Sequence, residues 1–235
     1  YFYYIYIYMK NKNKLIISFI MIYTIISLLE WYIHRYLMHS SDNEIINCLN
    51  YIFKKTYNKI HGFNQDENHI QHHTVVRNNG NVDVLDDGMF FDIKNVPILT
   101  ISGFIIYYSI SKLIKLKHSK NEYMIISFIF LIMSTLYYKL WNILHPSYHK
   151  YEGYENNPYK NSKIYNYLEK YHMIHHLNKR KEKTNFNIIL PGIDFLFGTY
   201  KGCVDNTEYC KGSIQSEKDK KLCESKEKKI PLTFN

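Results

Sequence analysis

Cysteine, proline and glycine are scarce in this chain, at four, five and nine residues of 235. Cys48 stands alone, and Cys203, Cys210 and Cys223 lie in a charged tail without metal-finger spacing. That usage excludes a disulfide scaffold and a zinc finger, and it fits free thiols in a reducing compartment. The formal net charge is +9, yet no nucleic-acid-binding module accompanies the basic excess, so nucleic acid is not an expected partner. Juxtamembrane Lys and Arg facing an anionic leaflet fit the charge better. No small-residue cleavage pattern follows the first apolar stretch, which runs straight into Glu30, so a secretory signal is also excluded.

Three apolar stretches are almost free of proline and glycine: residues 14–33, 96–114 and 123–144. Each approaches the roughly 20 residues that cross a bilayer as a helix. Residues 1–9, YFYYIYIYM, are apolar but too short to span alone, and they read as the remnant of a fourth membrane helix. Mean hydropathy is nevertheless slightly negative, because Asn- and Lys-rich segments flank the stretches and Tyr replaces much of the Leu. Residues 42–60 and 160–178 also look helical. The expected fold is therefore all-α: an integral membrane protein with three to four transmembrane helices and a cytosolic helical cap. Residues 1–200 form the membrane-embedded domain, and residues 201–235 are a charged, flexible tail.

Ten of the twelve histidines fall in four clusters: His34 and His39; His69, His72 and His73; His145 and His149; His172, His175 and His176. Neutral imidazole is the commonest metal ligand among side chains. Ten ligands exceed what one ion takes, and two ions with five or so imidazoles each is the natural count. Residues 96–144 form a hairpin turning at residues 115–121, so the chain returns to the side it left. All four clusters then meet at one membrane face. In each H-x-x-H-H run the histidines share one helical face and can serve one or both ions. His34 and His39, five apart, suit a helix end or a looser turn, and Pro146 suggests that His145 and His149 begin a new helix. The histidine side carries most of the Lys and Arg, which places it in the cytosol, although the short loops opposite carry six lysines, residues 10, 12, 14, 115, 117 and 120. Trp141 and the tyrosines near the helix ends read as interfacial anchors.

The array H-x4-H, H-x2-HH, H-x3-H, H-x2-HH after membrane helices resembles the fatty acid hydroxylase and sterol desaturase superfamily. EWYIHRYLMH, residues 30–39, looks like its first box. NFNIILPGIDFLFGTY, residues 185–200, looks like the segment after its last box. The resemblance implies a multi-pass enzyme of the endoplasmic reticulum. It implies two non-haem iron ions held by the ten box histidines, with zinc able to replace them in isolated protein. It implies oxygen-dependent hydroxylation of a lipid C–H bond in a fatty acyl, sphingolipid or sterol substrate. Lipid desaturation, carotenoid hydroxylation and a non-enzymatic metal-binding role are the alternatives. Electrons must come from a separate haem or flavin partner, since the chain has no H-P-G-G segment. Metal-bound imidazoles commonly donate their second N–H to a carboxylate or carbonyl, and Glu30, Asn185 and Asp194 are the candidates for that supporting role. His61 and His118 match no box; His118 reads as a surface residue of the hairpin turn, and His61 as a supporting or solvated one.

Overall fold

The computed structural model describes residues 2–39, 44–61, 69, 71–73, 75–76, 89–151, 153–154, 157–177 and 184–202. Among them there are helices and connecting segments but no strand. Helix α1 spans Phe2–Tyr32 and passes into a π-helical segment, Ile33–Met38. Four further helices of more than two turns follow: α2, Glu44–His61; α3, Asn95–Leu113; α4, Lys120–Tyr148; and α5, Lys163–Leu177. One short turn, α6, spans Ile193–Leu196. The tail from residue 203 onward, with three of the cysteines, lies outside the described residues, as does the basic run at 179–183.

Three helical stretches are long and apolar enough to cross a membrane: Lys14–Met38, Asn95–Leu113 and Lys120–Tyr148. Residues 2–9 form no separate element. They extend α1, because neither glycine nor proline interrupts the chain before Tyr32. α1 and α4 run in the same direction, as contacts at both ends require. Lys14 Nζ donates to Glu122 Oε1 at 2.5 Å at one end, while His34 meets Trp141 edge-on at 6.2 Å near the other. α3 runs back between them.

Local chemistry explains these limits. α4 opens on a capping box in which Ser119 Oγ accepts from Glu122 N–H and Glu122 Oε2 accepts from Ser119 N–H, at 3.3 and 2.6 Å. Contrary to expectation, α4 does not stop before Pro146; it continues to Tyr148. A proline in the last turn forfeits a single intrahelical bond, and the chain turns immediately afterwards at Lys150, whose φ is 51°. Gly103 lets α3 approach α4 closely, since a Cβ there would fall 2.7 Å from the Phe130 ring. Ile22, Ile25, Ile26, Tyr107, Ile126 and Phe130 fill the space between the three long helices.

The outward faces stay apolar. Leu15, Phe19 and Ile20 on α1, Ile101 and Ile105 on α3, and Met124 and Phe128 on α4 are all exposed. Fully burying one such side chain is worth about 1.5–3 kcal/mol, so these faces suit a non-aqueous neighbour. A larger apolar cluster (Ile33, Leu37, Trp141, Leu144, Met173 and Ile188 among its members) sits where α1, α4 and α5 meet. It forms the floor under the histidines. Trp141 lies inside it at 1% exposure and is no interfacial anchor.

Candidate metal centre

The ten box histidines converge in two groups of five. His34, His39, His69, His73 and His175 form an α1-side group, and His72, His145, His149, His172 and His176 form an α4-side group. Within each group one ring nitrogen per residue lies within 4.8 Å of all the others. No carboxylate or thiolate joins either group among the described residues.

Helix geometry dictates this partition. At about 100° per residue, positions i and i+4 lie about 40° apart, while i+3 falls about 60° away on the other side of i. His69 and His73 accordingly serve the α1-side group and His72 the other. The second H-x-x-H-H run mirrors this: His172 and His176 serve the α4-side group and His175 crosses to the α1 side. Each run thus contributes to both groups. The first box needs a different device. In an α-helix, residues five apart point in different directions. Here the π-helical turn, closed by His39 N–H donating to His34 O at 3.2 Å, brings the two rings to 5.0 Å, stacked. An i to i+5 turn of this kind is rare and concentrates at functional sites.

The fit to metal can be tested on the nitrogens themselves. In the α1-side group the Nε2 pairs His34–His69, His39–His175, His69–His39, His73–His69 and His175–His73 lie 3.0, 3.1, 3.2, 3.3 and 3.1 Å apart. In the α4-side group His72–His149, His149–His172 and His176–His172 lie 3.2, 3.0 and 2.9 Å apart. Two ligands about 2.1 Å from one ion and about 90° apart are separated by about 3.0 Å. The spacings match the edges that five nitrogens around one ion would make.

The tautomers agree with that reading. His34 Nδ1–H donates to Phe186 O, His175 Nδ1–H to Thr184 O and His145 Nδ1–H to Met89 O, each at 2.6 Å. That leaves the Nε2 lone pair of each ring pointing into its group, and buried His145 Nε2 meets no hydrogen-bond donor. Converging lone pairs repel unless a cation lies between them. Burial, reinforced by neighbouring imidazoles, keeps the rings neutral: it lowers His69 well below the usual imidazole range beside His34, His172 beside His145, and His176 beside His73. Neutral rings are the ligand form. His73, at the edge, remains partly exposed.

The three supporting candidates take part at one remove. Among the described residues their hydrogen bonds go to backbone groups and to non-histidine side chains. Glu30 accepts from Ile188 N and Ile189 N, both at 2.8 Å, from Leu190 N at 3.0 Å and from Asn187 Nδ2 at 3.2 Å. Asp194 accepts from Phe186 N at 3.1 Å, Asn187 N at 2.8 Å, Tyr171 Oη at 2.6 Å and Thr199 Oγ1. Burial and the Asp194 charge push the Tyr171 phenol far up, so it remains a donor. Asn185, at φ 59°, pairs both ways with Lys201: Lys201 N donates to its Oδ1 at 2.7 Å and its Nδ2 donates to Lys201 O at 2.9 Å. All three therefore hold the stretch from residue 184 to 190, whose carbonyls at Thr184 and Phe186 orient two α1-side imidazoles.

His61 is buried on α2, where its Nδ1–H donates to Tyr57 O at 2.8 Å, and it belongs to neither group. His118 is not a free surface residue: it is partly buried, with Nε2 2.9 Å from Tyr107 Oη. The membrane-length helices are not wholly free of box histidines, since His34 and His145 fall in terminal turns of the first and third. The residues missed by sequence reasoning are the backbone carbonyls of Met89, Thr184 and Phe186, which no side-chain motif marks. Trp141 was also missed, although it lies one helical turn from His145; its Nε1–H donates to Met89 O at 3.2 Å.

No family model, no curated protein and no solved structure matches this chain.

Proposed function

We propose that this chain is a membrane-embedded oxygenase that holds two iron ions and hydroxylates a C–H bond of a lipid, in the manner the histidine boxes suggest. The observation that carries the reading is the pair of adjoining five-imidazole groups at one end of three membrane-length helices. Five nitrogen ligands per group exceed the four of a structural zinc site and leave room for a further ligand on an ion that accepts six. Bound iron would supply the oxygen activation and one-electron chemistry that side chains lack.

The chain's own part is positional. Nδ1–H donation to carbonyls aims His34, His145 and His175 and fixes their tautomers. Burial keeps water from eight of the ten rings. The apolar outer faces of the long helices suit a bilayer, so a lipid substrate arrives already beside the site. A separate haem or flavin protein supplies electrons. Residence in the endoplasmic reticulum with the histidines toward the cytosol is part of the same proposal, supported by the Lys and Arg on that side.

The experiment is elemental analysis of the detergent-purified protein, paired with lipid extracts from cells making the wild type or His72→Ala. Two iron ions per chain, and a lipid that gains one oxygen in the wild type alone, is the expected result. A lipid that loses two hydrogens instead would reassign the reaction to desaturation. One ion or none, with unchanged lipids, would overturn the enzymatic reading.

A further inference from the structure

The segment after the last histidine box folds into a closed loop against α1. Its neck is the Asn185–Lys201 pairing, tightened by Asn185 N–H donating to Thr199 O at 2.9 Å. From the neck the loop follows α1 step by step. Trp31 Nε1–H donates to Thr199 Oγ1 at 3.0 Å, Ser27 Oγ to Leu190 O at 2.6 Å and Tyr23 Oη to Pro191 O at 2.7 Å. The chain reverses at Pro191 and Gly192, and Gly192 has a φ of 147° that a side chain would resist. α1 rises about 1.5 Å per residue, so the contact at Tyr23 lies about 12 Å further along the helix than the one at Trp31. That depth is the middle of the membrane-length stretch Lys14–Met38.

We propose that residues 185–201 are a re-entrant element that dips into the bilayer beside α1 and returns to the side it left, with Phe195, Leu196 and Phe197 against lipid acyl chains. This rests on the reading that the three long helices span a membrane. Irregular backbone survives at membrane depth only when its polar groups are bonded within the protein. Here every N–H from Asn185 to Leu190 is so bonded: to Thr199 O, to the Asp194 carboxylate twice, and to the Glu30 carboxylate three times. Two buried carboxylates near the neck end of the loop thereby acquire a purpose. The outer surface of the loop is apolar and open: Phe195 is 53% exposed, Leu196 74% and Phe197 54%. Phe197 stacks on Trp31 at 4.6 Å and Phe195 on Tyr200 at 4.1 Å, so this apolar surface lies toward the neck end of the loop, and an exposed patch of this kind marks a contact with a membrane or another protein. At the neck the character changes to Tyr200, Lys201 and Arg35, the last 4.9 Å from the Trp31 ring, as suits a headgroup region.

Depth quenching tests this on the full chain, with Cys48, Cys203, Cys210 and Cys223 replaced by serine. A bimane label is placed at Leu196→Cys, at Ile20→Cys as the membrane control and at Asn161→Cys as the aqueous control. The protein is reconstituted in phosphatidylcholine vesicles, and retained metal content reports folding. Nitroxide-labelled phosphatidylcholine should reduce emission from position 196 as much as from position 20, and aqueous iodide should affect only position 161. Phe195→Cys gives the same readout should the first variant fold poorly. Iodide quenching at 196 with a lipid-facing position 20 would overturn the loop proposal alone. A label at 196 protected from both quenchers would place protein there, a second copy of the chain for instance, and overturn it equally. Iodide access at position 20 as well would overturn the membrane reading beneath it.

Discussion

The two histidine groups use the same ligands in mirrored proportions, yet they are secured by different means. The α1-side group depends on Thr184 and Phe186 carbonyls presented by a loop some 150 residues from His34 in sequence, held by the Glu30 and Asp194 carboxylates. The α4-side group leans on one nearer carbonyl, Met89, which receives both His145 Nδ1–H and Trp141 Nε1–H. Phe91, two residues on, is pinned by the Asn142 amide: Phe91 N–H donates to Asn142 Oδ1 at 2.7 Å and Asn142 Nδ2 donates to Phe91 O at 3.1 Å. One scaffold is ionic and long-range; the other is neutral and packed around an indole. Identical donors can thus be given unequal sensitivity to mutation by the groups standing behind them.

The largest break in that comparison should come from Glu30→Ala. It strips three backbone N–H groups of their acceptor, and the Asn187 amide of one of its two. Each unsatisfied buried donor costs about 1–3 kcal/mol. Thermal unfolding in detergent should shift sharply down, and metal analysis should find the α1-side ion lost before the α4-side one. Equal loss of both ions would contradict the separation of the two scaffolds.

Next in size is a reciprocal pair. His69→Ala with His73→Ala removes two α1-side ligands, and His172→Ala with His176→Ala removes two from the α4 side. Each double variant should retain one ion per chain after gel filtration. If either lost both ions, or neither, the assignment of outer histidines to separate groups would be wrong.

Trp141→Phe is a gentler probe. It keeps the aromatic volume and removes one hydrogen bond to Met89 O, worth about 1 kcal/mol. Its metal loss should be confined to the α4-side group. The smallest effect belongs to Glu122→Gln, at the far end of the bundle, which weakens a partly exposed pair with Lys14 and the capping box. Stability should fall by about 1 kcal/mol or less, and metal content should not change. Altered metal content in that variant would mean that the two ends are coupled.

Much of the site was legible from local spacing, because local spacing is what a helix converts into direction. H-x-x-H-H left open whether one or both ions were served, and the angles of an α-helix divide each run between the two groups. The five-residue gap between His34 and His39 signalled an irregular turn, and the π-helix supplies it. Pro146 misled, since a proline in a final turn forfeits too little to end a helix that burial is holding in place. Glu30 and Asp194 stood out as charges beside the boxes, but their partners are amides of residues 186–190 and, for Asp194, the Tyr171 and Thr199 hydroxyls. A contact between Glu30 and Ile188 spans 158 positions, and no periodicity carries that information.

The four histidine clusters, their number and the single end of the bundle at which they gather were determined by the sequence alone. These follow from composition, from segment length and from 3.6-residue geometry. Which five nitrogens surround each point, which carbonyls aim them, and the descent of residues 185–201 beside α1 were decided only by tertiary structure. Each of those requires groups far apart in the chain to satisfy one another's hydrogen bonds in a space that water does not reach.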